Sequence, residues 1–565
     1  MFKKLLIPLL IFQFLAELCH SQNVTNDTKL RSIVSEKGQA EVIIPVQNRQ
    51  TRDRITHIYS VRSVKEKSIH ILLSPLTVER FIAEKNEYQL IERPENKGVV
   101  SSASIAEAME WDSYPSWTQY DSIMRFLAFS YPALCILDTI GTSINGRLVL
   151  VLKISDNCRA DEAEPEVFYT SGIHGDETAG FILMLRLSEY LLKNYTIDDR
   201  VRDLVDNLEI WINPLANPDG TYRGGNYITS PVRFNANGYD LNRNFPDPEG
   251  PVFTRQKETL DMMYFLIERR FALSANFHSG EEVVNYPWDR WPYEHADNDW
   301  FYMISRGWAD TVHIYSGPGY MNYLDNGVTN GWDWYKVNGG RQDYVTYTLS
   351  GREITVELDE DFITPATDLN NIWQYNYRSL LGYLENATFG IHGQVSDVLN
   401  NEPVPARIYI EGHDMDSSHV YADTITGFFT RFLMPRLYDL TFTARGYRDT
   451  TIRGIAVMHR GRTDLEVKMI PDLNPVDTTN PADPLFYPNP GSSIIKAVLP
   501  DKIKGVVNVR LYNLTGKKVW EYVIETPDPY PVSIDVSRLQ AGIYFVVFTN
   551  VETRVSGSGR IVILR

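Results

Sequence analysis

Between about Glu110 and Thr388 the chain alternates two hydrophobic rhythms. Short, almost continuously apolar runs occupy Leu134–Ile140, Leu148–Ile154, Val167–Ser171, Leu208–Pro214, Phe271–His278 and Glu353–Leu358. Between them lie longer stretches with apolar residues three or four apart. Tyr114–Ser130, Thr178–Tyr195 (Leu183, Leu187 and Leu191), Thr254–Arg269 and Ile372–Asn386 belong to this set. The first rhythm predicts buried strands and the second helices. Their alternation predicts an α/β domain built around a mostly buried sheet. In such sheets chemistry gathers where strands end and loops begin.

The flanks have a different texture. Residues 22–109 mix alternating runs (Ala40–Pro45, Ile69–Ser74) with a short helical pattern near Thr77–Glu84 and a polar, loop-like run, Pro94–Ser104. This reads as a small α/β pre-domain, either an accessory domain or an inhibitory or folding pro-segment, and no residue in it asks for a chemical role. From 389 to 472 short alternating strands (Ala406–Glu411, Gly427–Phe432, Leu437–Ala444) separated by Gly, Pro and Asp predict a small β-sandwich. A Pro/Asp/Thr/Asn linker follows, 473–484 within the run Pro471–Pro484. A last β-rich segment, 485–565, includes Val506–Tyr512, Val532–Val536 and Gly542–Thr549. At the other end, Lys3 and Lys4 before the apolar run Leu5–Leu15 read as a secretory signal ending near Ser21.

Composition narrows the partners. The 565 residues carry a formal charge of −17, which argues against nucleic acid and against an anionic membrane surface. No later run is long and apolar enough to span a bilayer. Beyond the signal, Cys135 and Cys158 either pair in an oxidising compartment or stay as two buried thiols.

The chemistry centres on His174-Gly175-Asp176-Glu177, which follows a predicted strand and opens a predicted helix. An imidazole and a carboxylate three residues apart at a strand end can converge on one metal ion, and zinc accepts N and O ligands at ~2.0–2.2 Å. Alone, an H-x-x-E spacing is a weak signal. His278 ends another strand run and completes a His, Glu, His set. Arg233 and Asp240-Leu241-Asn242-Arg243-Asn244-Phe245 lie in loop-rich sequence between strands, and Glu357 sits in an apolar strand, where a carboxylate is costly unless it is paired or used.

Five segments occur together in one order: Gly172–Glu177; Asn213-Pro214 with Asn217–Gly220; Asn235–Asp247; Gly339-Gly340-Arg341-Gln342-Asp343; and Glu353–Leu358. In this the stretch from about Glu110 to Thr388 resembles the zinc carboxypeptidases of the funnelin (M14) family, in particular the regulatory branch. The resemblance implies an α/β/α catalytic domain with a mixed eight-stranded sheet and one zinc ion per chain on His174, Glu177 and His278. Asp240 is then similar to the acid that orients the first histidine, Glu357 to the general base, and Arg233 to the oxyanion-stabilising arginine, with Arg223 close enough in sequence to leave that register open. Asn242 and Arg243 resemble the clamp on a substrate's terminal carboxylate, and Tyr335 the tyrosine that closes over it. Asp289 matches an acid in the side-chain pocket of basic-specific members, with Gln342 at the pocket floor. This implies a preference for C-terminal Arg or Lys. Arg341 departs from the pattern, and a cation near Asp289 would weaken that preference.

Two further resemblances concern the tail. Gly390–Asp397 opening the β-domain is similar to the transthyretin-like module that follows regulatory carboxypeptidases, where His413 and His419 read as surface residues. Tyr487-Pro488-Asn489-Pro490, Leu511–Lys517 and Ala541-Gly542-Ile543-Tyr544 resemble the sorting domain of type IX secretion. That implies recognition by the secretion machinery and release or attachment at the outer surface of a Gram-negative bacterium. The expectation is a secreted metallocarboxypeptidase acting on peptide or protein C-termini. The alternatives are an inactive binding or adhesion protein on the same fold, and a zinc amidohydrolase acting on cell-wall peptides.

Overall fold

The computed structural model describes residues 26–92, 99–250, 254–444, 446–472 and most of 485–563. The signal expected over 1–21 and the linker at 473–484 lie outside the described residues. The chain divides into two compact units, Met1–Ile470 and Pro471–Arg565.

In the first unit the pre-domain is a four-stranded antiparallel sheet, order β2-β3-β1-β4 (β1 Ala40–Pro45, β2 Ser60–Lys65, β3 Ser68–Leu73, β4 Gln89–Ile91). Its core combines β1 and β3 (Val42, Ile44, Ile69, Ile71) with Leu30, Val34, Ile55 and Phe81. The β2–β3 register slips between Val61 and Ser63, so Arg62 sits in a bulge. Bulges re-aim a side chain.

The catalytic-type domain is built on the expected mixed eight-stranded sheet, β5 Cys135–Thr142, β6 Leu148–Ile154, β7 Glu166–Ser171, β8 Glu209–Asn213, β9 Leu273–His278, β10 Glu281–Tyr286, β11 Val328–Asn330 and β12 Arg352–Asp359. Their spatial order is β11-β10-β12-β9-β7-β8-β6-β5. The central four, β12-β9-β7-β8, run parallel. The chain leaves β7 to form β8 on one side and later β9 on the other. That reversal opens a crevice beyond the strand ends, where such sheets carry their sites. Helix Ala179–Asn194 is buried along most of its length beneath this crevice. Helix Asn298–Tyr315 and strands β10 and β11 were not legible in the hydrophobic rhythm. In the helix, Gly307 and a run of aromatic residues blur a face that nevertheless buries Trp300, Ile304, Trp308 and Val312. Cys135 and Cys158 are both buried free thiols.

Residues 390–469 form two facing sheets, β16-β13-β19 and β15-β14-β17-β18 (β13 Gly390–Asp397, β14 Arg407–Tyr409, β15 Val420–Tyr421, β16 Phe428–Arg431, β17 Leu437–Thr443, β18 Thr450–Ala456, β19 Arg462–Met469). Phe432 leaves them to join the catalytic-domain core and stacks on Trp300 at 5.0 Å. Beside it Asp297 accepts from Arg352 (2.7 Å), Arg431 (2.6 Å) and His413 (2.9 Å). His413 is therefore a junction residue rather than a surface one, and His419 is half-buried. The second unit holds two more antiparallel sheets, β20-β21-β24 and β23-β22-β25-β26 (β20 Leu485–Tyr487, β21 Ile494–Val498, β22 Val506–Asn513, β23 Lys518–Glu525, β24 Val532–Asp535, β25 Gly542–Asn550, β26 Ser556–Ile563), around Ile495, Val509, Val546 and Phe548.

Candidate active site

His174 and Glu177 lie in the loop after β7, ahead of helix Ala179–Asn194 rather than in its first turn. The loop is tight because Gly175 runs against another backbone: a Cβ there would stand 2.3 Å from the Gly220 carbonyl carbon. His278 ends β9, and Glu357 lies opposite it in the neighbouring strand β12. Three side chains then converge. His174 Nδ1 is 2.8 Å from Glu177 Oε1, His278 Nδ1 is 2.7 Å from Glu177 Oε2, and the two Nδ1 atoms are 3.1 Å apart. All three residues are buried, and one donor atom from each lies within 4.8 Å of the others.

The outer ring nitrogens are already taken. His174 Nε2 is 3.1 Å from Asp240 Oδ1, and His278 Nε2 is 2.8 Å from the Asn276 amide. With Nε2 carrying the proton, the Asn276 amide turned half round lets its otherwise unpartnered Oδ1 accept. Both Nδ1 lone pairs then face the shared centre, the tautomer a metal requires. The electrostatics differ between the two rings: burial and Arg233 lower His174, but Glu177 and Asp240 outweigh them and raise it above its usual range. Burial pushes His278 down to about 4, leaving a neutral ring. Burial opposes ionisation of Glu177, but the two imidazoles outweigh it and hold the carboxylate well below its usual range. Two imidazoles and a carboxylate on one centre are a fitting zinc donor set, a bound metal displacing the proton that Glu177 and Asp240 favour on His174.

Asp240 links this cluster to Arg233, whose Nε donates to Oδ2 at 2.8 Å while Nη1 reaches Glu177 Oε1 at 3.2 Å. Arg223 instead donates to the Glu36 carbonyl. Glu357 Oε2 is shut off from solvent and has no hydrogen bond among the described residues. Burial first, and the Glu177 charge second, push it well above the ordinary carboxyl range. A divalent cation at the cluster opposes both effects.

On the other side of the cleft Arg243 Nη1 donates to the Asn242 carbonyl, while Nε and Nη2 are buried without an acceptor among the described residues. An unspent edge of a guanidinium facing a cleft is a ready grip for a carboxylate. Asn242 lines the same space and is fixed by Asp240 and the Arg341 amide. Tyr335 lies beside Arg243 and Arg233, its phenol shifted upward by burial. Deeper in, Asp289 accepts from Asn285 (2.9 Å) and Gln342 (2.8 Å). Burial raises it to about 6. Gly331 keeps its pocket open, since a Cβ there would lie 1.9 Å from Asp289 Oδ1. Arg341 does not enter this pocket. Its Nη2 pairs with Glu353 at 2.7 Å, both fully buried.

Sequence reading missed the pre-domain's part. Val61 and Arg62 line the cleft together with the His174 cluster, Arg243 and Glu357. The remaining space, about 40 Å³, has room for a few water molecules and not for an amino-acid residue. Gln39 reaches Asp176 and the Arg233 amide, and Tyr335 packs against the pre-domain core. A bulged arginine has no signature in a hydrophobic pattern. The β2 run could not reveal it.

A buried His/Glu/His centre with a nearby carboxylate and an unspent arginine, at the strand ends of a mixed α/β sheet, defines a zinc-hydrolase class of site. The family model for zinc carboxypeptidases matches residues 120–379, and that for the secretion system C-terminal sorting domain matches 485–563. Carboxypeptidase D of Anas platyrhynchos is 34% identical over 66% of this chain and 28% of its own length. The catalytic chain of human carboxypeptidase N is 32% identical over 59% of this chain and 81% of its own. Carboxypeptidase A of Helicoverpa armigera is similar in structure at 19% identity and TM-score 0.49, over 62% of this chain and 97% of its own. The chain belongs to the zinc carboxypeptidase family, and it ends in a secretion sorting domain. Among the described residues no helix is long and apolar enough to cross a membrane.

Proposed function

We propose that the protein is a secreted exopeptidase that removes C-terminal residues from peptides and proteins, with a preference for Arg and Lys. The observation that carries this is Arg243: two buried guanidinium nitrogens with no hydrogen-bond acceptor among the described residues, beside a metal-type centre. An internal peptide segment has no carboxylate for them, at a cost of roughly 3–5 kcal/mol by analogy with broken buried ion pairs.

When bound by His174, Glu177 and His278, zinc supplies Lewis acidity for water and for the scissile carbonyl. Glu357 takes the proton from the attacking water and passes it to the departing amine. Arg233, held by Asp240, faces charge developing on the carbonyl oxygen. Arg243 and Asn242 hold the terminal carboxylate and Tyr335 closes over it. Asp289, anchored by Gln342, receives the terminal side chain. With Arg341 spent on Glu353, the pocket keeps its negative character. Residues 22–109 act as a gate on this cleft, residues 389–472 form a transthyretin-like module buttressing the catalytic domain, and the 485–565 segment directs export through type IX secretion to the outer surface.

The test is hydrolysis of matched peptides ending in Arg, Lys, Phe and Glu. Glu357→Gln is expected to keep its zinc and lose ~10²–10⁴ in kcat. Near-normal turnover by that variant rejects the base assignment. Equal or better cleavage of the Phe peptide rejects the specificity.

A further inference from the structure

The contact that closes the cleft also outlines a seat for a substrate group. Arg62, thrown forward by the bulge in β2, brings Nη1 to 2.8 Å from Asp176 Oδ2 and lays its guanidinium over the Phe362 ring, 3.2 Å from the centroid. Asp176 is 1% exposed, and the partners of Oδ2 are Arg62 and Gln39, both from the pre-domain. Its Oδ1 has no partner among the described residues. So the catalytic domain holds, next to the metal ligand Glu177, a carboxylate it does not satisfy itself and an aromatic face above it. Glu41 of the pre-domain shares Arg62 at 4.0 Å and departs with it. An acid that lines the cleft, Glu281, meets another pre-domain cation, Lys65, at 3.6 Å. A carboxylate beneath a ring face suits a planar guanidinium better than an ammonium.

We propose that Asp176 and Phe362 form a cation subsite for a basic residue on the amino side of the scissile bond, which Arg62 occupies in the closed chain. The substrate class is then peptides that carry Arg or Lys at one of the two positions before the terminal residue. This rests on the exopeptidase reading and on the gate. Asp176 acts as a specificity determinant and takes no part in bond cleavage.

The experiment uses the full zinc-loaded chain with a protease site placed after Lys97, cut after folding. Tetrapeptides vary the two positions before the last residue through Arg, Lys, Ala and Glu, each with terminal Arg and terminal Phe. At one of those positions Arg is expected to exceed Glu roughly tenfold or more in kcat/KM, the scale of a charged hydrogen bond. Asp176→Asn collapses that ratio at retained zinc content, and Phe362→Leu removes the advantage of Arg over Lys. The inference is overturned by absence of an upstream preference, or by a preference that survives both substitutions. Failure of the terminal pocket reading shows separately, as loss of discrimination between terminal Arg and Phe. No turnover of any peptide overturns the exopeptidase reading and this one with it.

Discussion

At the scale of single residues, the proposed preference for terminal Arg and Lys rests on Asp289 and carries a pH dependence with it. Its carboxyl is raised to about 6 by burial, with Asn285 and Arg243 opposing and Glu353 adding to the shift. Asp343 lies behind it, accepting from the Asp289 and Arg290 amides. A raised carboxyl is ionised above about 6 and neutral below it. The charge that attracts a terminal Arg is thus present at neutral pH and lost as pH falls through 6. The ratio of kcat/KM for Arg over Phe peptides is expected to drop across that interval, and in Asp289→Asn to be low and flat from pH 5 to 8. A ratio that stays constant in the unsubstituted chain places the charge elsewhere. Residue identities at this scale were legible because order and type are visible in sequence: the segments holding His174, Glu177, Asp240, Arg243 and Glu357 are short and ordered. What Arg341 does was not legible, because its partner Glu353 lies on a neighbouring element and pairing follows from packing.

At the scale of elements, strand ends set the site. β7 and β9 are adjacent and parallel, so the loop after one and the last residue of the other meet without long connections. Long apolar strands were readable in the sequence. Aromatic-rich helix Asn298–Tyr315 was not, although it carries the junction with the β-sandwich through Trp300 and, just before its start, Asp297. That junction makes a prediction. Asp297 is held well below the usual carboxylate range because Arg431 and Arg352 outweigh its burial. Asp297→Ala leaves Arg352 buried without its acid, which costs about 3–5 kcal/mol. Urea unfolding of this variant should show that loss, with catalytic activity and sandwich structure disappearing in one transition because Phe432 and the Asp297 pairs tie the two cores together. Two separate transitions, or an unchanged midpoint, contradict a stabilising junction.

At the scale of the whole molecule, the proposed function raises the question of how the cleft is kept from acting before export. The pre-domain leaves only about 40 Å³ above the cluster and spends Arg62 on Asp176 and Lys65 on Glu281. Its contacts with the cleft include the polar ones of Arg62, Gln39 and Lys65. Tyr335 packs on the pre-domain core in the closed chain. A gate open less than 1% of the time lowers apparent substrate affinity roughly hundredfold. Cutting the folded chain after Lys97 and separating the pre-domain is therefore expected to raise kcat/KM by about that factor on every peptide, whatever its terminal residue. In the uncut chain Arg62→Ala should recover part of the gain, because it removes the ion pair to Asp176 but leaves β2 across the cleft. Adding the isolated pre-domain back to the cut enzyme should inhibit it, and more weakly at high salt, since screening acts on the Lys65–Glu281 pair at the rim. Equal activity before and after cutting means that residues 22–109 are an accessory domain and that the cleft opens by another route.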